Sequence, residues 1–226
     1  RSLGRTVTPQ PPRTETRPPG GKEAMLLTNE QLNGLRGRLV VSAQAYPGEP
    51  MRDPRTMAQV AQSAVLGGAG AVRVQGLADI QHARSAVEVP VIGLFKDGHE
   101  GVFITPTLHH ALAVAQAGAH IVALDATRRE RPDGRSLTET IAVIHEKTGA
   151  RVMADCGSLD DALAAVDSGA DVLGTTLAGY TGERPKTDGP DLELIEQIAA
   201  QGTGRMLIAE GRIHTPAQAA SALSAG

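Results

Sequence analysis

Seven short runs rich in Val, Ile, Leu and Ala recur along the chain, each separated from the next by a stretch with helical spacing. They lie at 39–41, 71–74, 91–95, 121–124, 151–154, 172–176 and 206–209. Each is continuous rather than alternating, so both faces of the strand are expected to be buried, as in a parallel sheet covered by helices. None approaches the ~20 apolar residues that a membrane span needs.

The stretches between the runs carry helix ends. Asp53-Pro54 reads as an N-cap followed by proline at the first helical position, and Thr215-Pro216 repeats it with Gln218 completing a capping box. Ser136 with Glu139, and Ser158 with Asp161, mark two further starts, and Leu77, Ile80, Ala83 and Val87 form one apolar stripe. Gly68-Ala69-Gly70, Ala117-Gly118-Ala119 and Ser168-Gly169-Ala170 each end a helix and open a strand, the glycine supplying a left-handed stop. Strand and helix alternating seven times with short loops predict a TIM (β/α)8 barrel. A doubly wound sheet would want a Gly-rich loop after the first strand, and Ser42-Ala43-Gln44-Ala45 is not one. The strand count is one short. The punctuation at Ser224-Ala225-Gly226 predicts an eighth strand next, so the chain reads as truncated before it.

Residues 1–24 are rich in Pro, Arg and Thr and poor in large apolar groups. They are expected to form a disordered tail, with Met25 opening a barrel domain over 25–226. A net charge of -3 provides no basic field for nucleic acid or an acidic membrane. The single cysteine excludes a disulfide framework and a Cys-based zinc site. With no signal peptide or span visible, a cytoplasmic protein is expected.

Function in such a barrel sits at the carboxyl ends of the strands. Those ends present Gln44, Arg73, Lys96, Asp125, Asp155, Thr175 with Thr176, and Glu210 with Gly211 and Arg212. No histidine is among them, so no transition-metal site is expected. Lys96 follows five apolar residues, and two readings stand: an acid/base amine with a desolvated stem, or the partner of a neighbouring carboxylate. Glu210 ends the seventh strand and suits a second acid/base group, or a loop charge. Gly211 leaves an open amide and Arg212 suits phosphate or carboxylate. Asp125 opens a charged loop in which Arg129 and Glu130 read as solvated, Cys156 reads as a bystander thiol, and Tyr180 either covers a ligand or packs its loop.

The strand-end sequences resemble the N-acetylmannosamine-6-phosphate 2-epimerase family of bacterial sialic acid catabolism, also called N-acylglucosamine-6-phosphate 2-epimerase. The matching stretches are LVVSAQ (39–44), GAVRVQG (70–76), PVIGLFK (90–96), ITPT (104–107), ALDATRRERPDG (123–134), ADCGS (154–158), GTTLAGYT (174–181) and IAEGRIHTP (208–216). They run in order over about 35–226. The resemblance implies a phosphate-binding barrel, an amino sugar phosphate substrate and no cofactor. It implies catalytic Lys96 and Glu210, with Gln44, Arg73, Asp125, Asp155, Thr176, Gly211 and Arg212 binding substrate. A homodimer is compatible with it. Ala43 stands where the family often has Cys, and the loop Asp97-Gly98-His99-Glu100-Gly101 departs from the family's Arg and acidic residues. The family's last strand, with its phosphate motif, is not in the chain.

The implied reaction removes the proton on carbon 2, acidified by the neighbouring aldehyde once the ring opens, and returns it to the opposite face. Two acid/base groups on opposite walls serve that, each worth roughly 10²–10⁴-fold. Two alternatives are a Schiff-base aldolase with Lys96 attacking a carbonyl, and a non-catalytic sugar-phosphate-binding protein.

Overall fold

A computed structural model describes residues 26–226. The Pro- and Arg-rich segment 1–24, and Met25, lie outside them.

After a short helix α1 (Asn29–Asn33), strands and helices alternate: β1 (Val40–Ala43), α2 (Pro54–Leu66), β2 (Ala71–Gln75), α3 (Leu77–Ala86), β3 (Val91–Leu94), α4 (Leu108–Gln116), β4 (Ile121–Asp125), α5 (Leu137–Thr148), β5 (Arg151–Asp155), α6 (Leu159–Asp167), β6 (Val172–Gly174), α7 (Leu192–Ala200), β7 (Met206–Ile208) and α8 (Pro216–Ala225). All pairs are parallel, in the order β1-β2-β3-β4-β5-β6-β7. Among the described residues, seven strands follow the (β/α)8 barrel pattern without its eighth, and β1 and β7 do not pair with each other.

The continuous apolar runs resolve into two faces. Val72, Val74, Val91, Val122, Leu124, Val152, Ala154 and Leu173 pack with helix residues such as Ile80, Val114, Ile141, Ile144 and Leu194. Ala71, Ile92, Leu94, Ile121, Ala123, Met153, Val172 and Met206 fill the other face, the barrel interior. Fully burying one such Leu, Ile or Val is worth about 1.5–3 kcal/mol. Gly93 lets β3 sit close to its covering helices, since a Cβ there would lie 2.7 Å from Ala119 Cβ and 2.9 Å from Ile80 Cδ1.

The helix ends follow the sequence. Asp53 accepts from the amides of Arg55 and Thr56, and Ser136 and Thr215 form complete capping boxes with Glu139 and Gln218. Ser158 caps α6 through the Asp161 amide. Gly68, Gly118 and Gly169 all take positive φ, at 97°, 109° and 94°, and so supply the left-handed stop. Helix α1 was not foreseen. Its Thr28–Gln31 capping box starts it, and Leu27, Leu32 and Leu35 plug the interior near the strands' amino ends. Arg151, at the start of β5, donates to Leu27 O at 3.3 Å and Asn29 Oδ1 at 2.6 Å and ties the plug down.

His120, just before β4, is 8% exposed, and its Nδ1 accepts the Val91 amide at 3.0 Å.

Candidate active site

The interior face of each strand, continued past its carboxyl end, produces the site. Counting in twos from Ala71, Leu94, Ala123, Met153, Val172 and Ile208 leads to Arg73, Lys96, Asp125, Asp155, Thr176 and Glu210. Every one of these has the inward parity. Ala126 and Cys156, one residue out of phase, pack with the helices instead.

Arg73 anchors the floor. Its side chain is 4% exposed, with Nη2 2.7 Å from Asp155 Oδ2 and Nη1 3.2 Å from Asp155 Oδ1. Its Nε lies 3.2 Å from Glu210 Oε1. Burial works against the guanidinium charge, but the two carboxylates and the hydrogen bonds outweigh it and hold Arg73 firmly protonated. Gly174 makes room for this: a Cβ there would lie 3.4 Å from Asp155 Oδ1 and 3.2 Å from Thr176 Oγ1.

Glu210 joins that cluster from beyond β7. Oε2 is 3.1 Å from Thr176 Oγ1, which is also 2.8 Å from Asp155 Oδ1. Burial pushes the Glu210 carboxyl up; Arg73 pulls it down and Asp155 pushes it up again, and the net direction is upward. Its backbone is locked by a residue that sequence reasoning left without a role. Thr175 Oγ1 donates to Glu210 O at 2.9 Å and accepts from Glu210 N at 3.0 Å.

Lys96 stands past β3 with its backbone held in an antiparallel bridge to Ile104. The bridge is fixed from below by Thr105, whose hydroxyl donates to Ala123 O at 2.6 Å and accepts from the Phe95 amide at 3.1 Å. Thr105 takes φ 47°, a conformation that a β-branched residue adopts under strain, here held by those bonds. Lys96 Nζ donates to Tyr46 Oη at 2.9 Å and sits 4.7 Å from the Tyr46 ring centroid. Its polar partner is thus a phenol and not a carboxylate. Nothing in the sequence pattern singled out Tyr46, which lies in the loop after β1.

Asp125 is fully buried, and its oxygens are taken by its own loop. Thr127 gives Oδ1 its hydroxyl at 2.7 Å and its amide at 3.0 Å, while Arg129 Nη2 meets Oδ2 at 2.7 Å. Burial raises its pKa against those partners. This corrects the expectation for Arg129: it is no solvated loop charge, because a desolvated carboxylate draws a counter-charge to it. Arg131 is likewise buried, bonding Asp125 O at 2.7 Å and Thr105 O at 2.8 Å, so that one guanidinium joins the loops after β3 and β4.

Gln44 bonds Ser42 Oγ at 2.6 Å on the open-edge strand. Gly211 has φ 106° and Arg212 φ 56°. Arg212 directs three of its five donors at the β6–α7 loop, reaching Ala178 O at 2.9 Å, Gly189 O at 3.1 Å and Thr187 Oγ1 at 3.1 Å. It also lies over the half-exposed Tyr180 ring, 5.3 Å from the centroid, with Lys186 Nζ 4.9 Å away. Arg73, Lys96, Thr176, Glu210, Gly211 and Arg212 line one cavity, which also includes Tyr46 and Tyr180. Cys156 is buried, and burial pushes its thiol well up. Among the described residues no group of three or more His, Cys, Asp or Glu side chains is placed to hold a metal ion, and no helix is long and apolar enough to cross a membrane.

Residues 57–226 match the family described as "Putative N-acetylmannosamine-6-phosphate epimerase". The chain belongs to that family. A curated relative of the same description, as a 2-epimerase, from Cutibacterium acnes is 58% identical over 88% of this chain and 87% of its own length. Another from Corynebacterium glutamicum is 46% identical over 82% of this chain and 81% of its own. The solved N-acetylmannosamine-6-phosphate 2-epimerase from Clostridium perfringens superposes with a TM-score of 0.81 at 34% identity, covering 86% of this chain and 85% of that one. Fold and family therefore agree with the barrel pattern and the family resemblance read from the sequence.

Proposed function

We propose that this epimerase-family chain interconverts N-acetylmannosamine 6-phosphate and N-acetylglucosamine 6-phosphate, with Lys96 and Glu210 exchanging the proton at carbon 2. The observation that carries the reading is the pairing of an amine and a carboxyl group of raised pKa, from β3 and β7, on one cavity. An acid/base group is most effective when its pKa lies near the working pH, and burial moves Glu210 in that direction.

One proton leaves carbon 2 and another is delivered to the same carbon, so the reaction as written is redox-neutral. Opening the sugar ring places an aldehyde beside carbon 2, and removal of the proton spreads charge onto the aldehyde oxygen. Arg73 supplies a fixed positive charge in the site, already braced by Asp155, so little reorganisation is needed when that charge develops. Gln44, Asp155 and Thr176 are the proposed partners of the sugar hydroxyl and acetamido groups, and Asp125 with its Arg129 partner shapes the wall beside them. The 6-phosphate, remote from carbon 2, is assigned to the Gly211–Arg212 end. There Arg212 acts chiefly through the loop it holds. Phosphate binding energy can then orient the reacting end.

The test is epimerisation in heavy water. Deuterium is expected at carbon 2 of the product, with Lys96→Ala and Glu210→Gln each lowering turnover by at least ~10² while substrate binding changes far less. Product without deuterium overturns the proton-exchange mechanism, and near-normal turnover in either variant removes that residue from it.

A further inference from the structure

The Thr176 hydroxyl touches two carboxyl groups, at 2.8 Å from Asp155 Oδ1 and 3.1 Å from Glu210 Oε2. A hydroxyl has one proton to donate and lone pairs to accept with. With both carboxyls ionised, one of those contacts would set lone pair against lone pair at hydrogen-bond distance. Both contacts are satisfied when one carboxyl carries a proton. The surroundings decide which one. Asp155 receives both Nη groups of the Arg73 fork, the geometry that favours an ionised carboxylate, and it has the shorter contact to the hydroxyl. Glu210 meets Arg73 only at Nε, a nitrogen with no hydrogen bond of acceptable geometry.

We propose that Thr176 is a positioning residue that keeps Glu210 protonated, accepting a hydrogen bond from the Glu210 carboxyl while donating its own proton to Asp155. The charged and titratable groups around Glu210 are Arg73 on β2, Lys96 after β3 and Asp155 on β5, with Asp125 of β4 in register beside Asp155. Burial and the Asp155 charge favour the protonated form of Glu210 against the Arg73 and Lys96 charges.

This rests on the acid/base reading above and assigns roles within it. In the direction that starts from protonated Glu210, Glu210 is the proton donor and the acceptor on the other face is a free amine at Lys96; the reverse direction exchanges the roles. Lys96 takes the proton from carbon 2, the C–H electron pair enters the enolate, and the Glu210 O–H bond breaks as its proton reaches the other face of carbon 2. Lys96 ends as ammonium and Glu210 as carboxylate, and exchange with water resets both.

The test needs no turnover. Infrared titration of the substrate-free chain follows the carbonyl stretch of the protonated carboxyl group, assigned by its loss in Glu210→Gln. Thr176→Val keeps the volume and removes the hydroxyl; the midpoint is expected to fall by about 0.5–1 pH unit. Thr176→Ser should hold the wild-type midpoint. An unchanged or raised midpoint in Thr176→Val overturns the proposal, since a hydroxyl donating to Glu210 would give a rise. Neutron diffraction of the wild type serves if the variant fails to fold: deuterium on Glu210 Oε2 supports the proposal, and a Thr176 deuterium directed at Glu210 overturns it. If the midpoint falls while no deuterium enters carbon 2 in the turnover assay, the proton-exchange mechanism fails and the proton assignment stands.

Discussion

Arg73 reaches from β2 to β5 and closes its fork on Asp155, with contacts of 2.7 and 3.2 Å between side chains that are 4% and 0% exposed. Removing one member of such a pair leaves an uncompensated buried charge, at a cost of about 3–5 kcal/mol. Arg73→Met is therefore expected to lower stability by about that amount and to abolish turnover. Adding Asp155→Asn should recover part of the stability and none of the activity. Urea unfolding of the single and double variants checks this; equal stability of both would show that the pair is not coupled.

Tyr46 holds Lys96 by its hydroxyl at 2.9 Å and by its ring at 4.7 Å. Tyr46→Phe keeps the ring and loses the hydroxyl. Turnover should fall roughly threefold to tenfold, the worth of one hydrogen bond, with KM little changed. Tyr46→Leu removes both contacts and should fall further. Steady-state kinetics of the two variants decides it: if they equal the wild type, Lys96 is oriented without this contact.

The strands were legible because each is a continuous apolar run, and the helices because Asp53, Ser136, Ser158 and Thr215 sit where an N-cap must. Lys96 and Glu210 were legible as charges at the ends of such runs. The same continuity hid which face of each strand points inward. Only Arg73, standing inside an apolar run, and the parity it sets for Gln75 carried that signal. Tyr46 and Arg131 were invisible because each acts across loops, Tyr46 on a lysine 50 positions away and Arg131 on Thr105, 26 positions away. Spacing rules reach along one element and no further. Arg212 reads by its chemistry as suited to phosphate or carboxylate; that three of its five N–H donors serve loop oxygens is set by the fold and not by spacing.

Gly174 is the one residue on β6 whose lack of a side chain shapes the site. A Cβ would lie 2.5 Å from Met153 Cε, a flexible terminus, but also 3.2 Å from Thr176 Oγ1 and 3.4 Å from Asp155 Oδ1, which are held. Gly174→Ala should cost about 1–3 kcal/mol of stability and lower turnover more than that loss explains, because it moves both polar groups. Thermal melts and kinetics on the same preparation separate the two effects. Unaltered turnover would show that the Met153 end yields alone.

Among the described residues, strands β1 and β7 each pair on one side only, which leaves two edges bordering the barrel interior. A polypeptide of residues 1–226 is expected to self-associate with rising concentration. Fusing a β/α unit able to pair with both edges should reduce that association and raise the melting temperature. Sedimentation at several concentrations checks it; a monomeric 1–226 chain would show that the edges are covered by other means.

The end of the barrel opposite the site has its own pH dependence. His120 is buried with Nδ1 accepting the Val91 amide, and burial, helped by the Arg84 charge, lowers its pKa from 6.5 to about 4. The unfolded chain then binds a proton that the folded chain refuses, and stability rises with pH wherever the unfolded state holds more protons. This group's contribution is therefore complete above about pH 6.5 and falls away between pH 6.5 and 4. Full loss amounts to on the order of 3 kcal/mol for a shift of that size. His120→Asn keeps an acceptor for the Val91 amide and does not titrate. It should flatten the stability profile between pH 4 and 6.5 while leaving stability near pH 8 little changed. Urea midpoints across that range measure it. A variant with the same slope as the wild type would show that carboxylates, and not His120, set the acid limit.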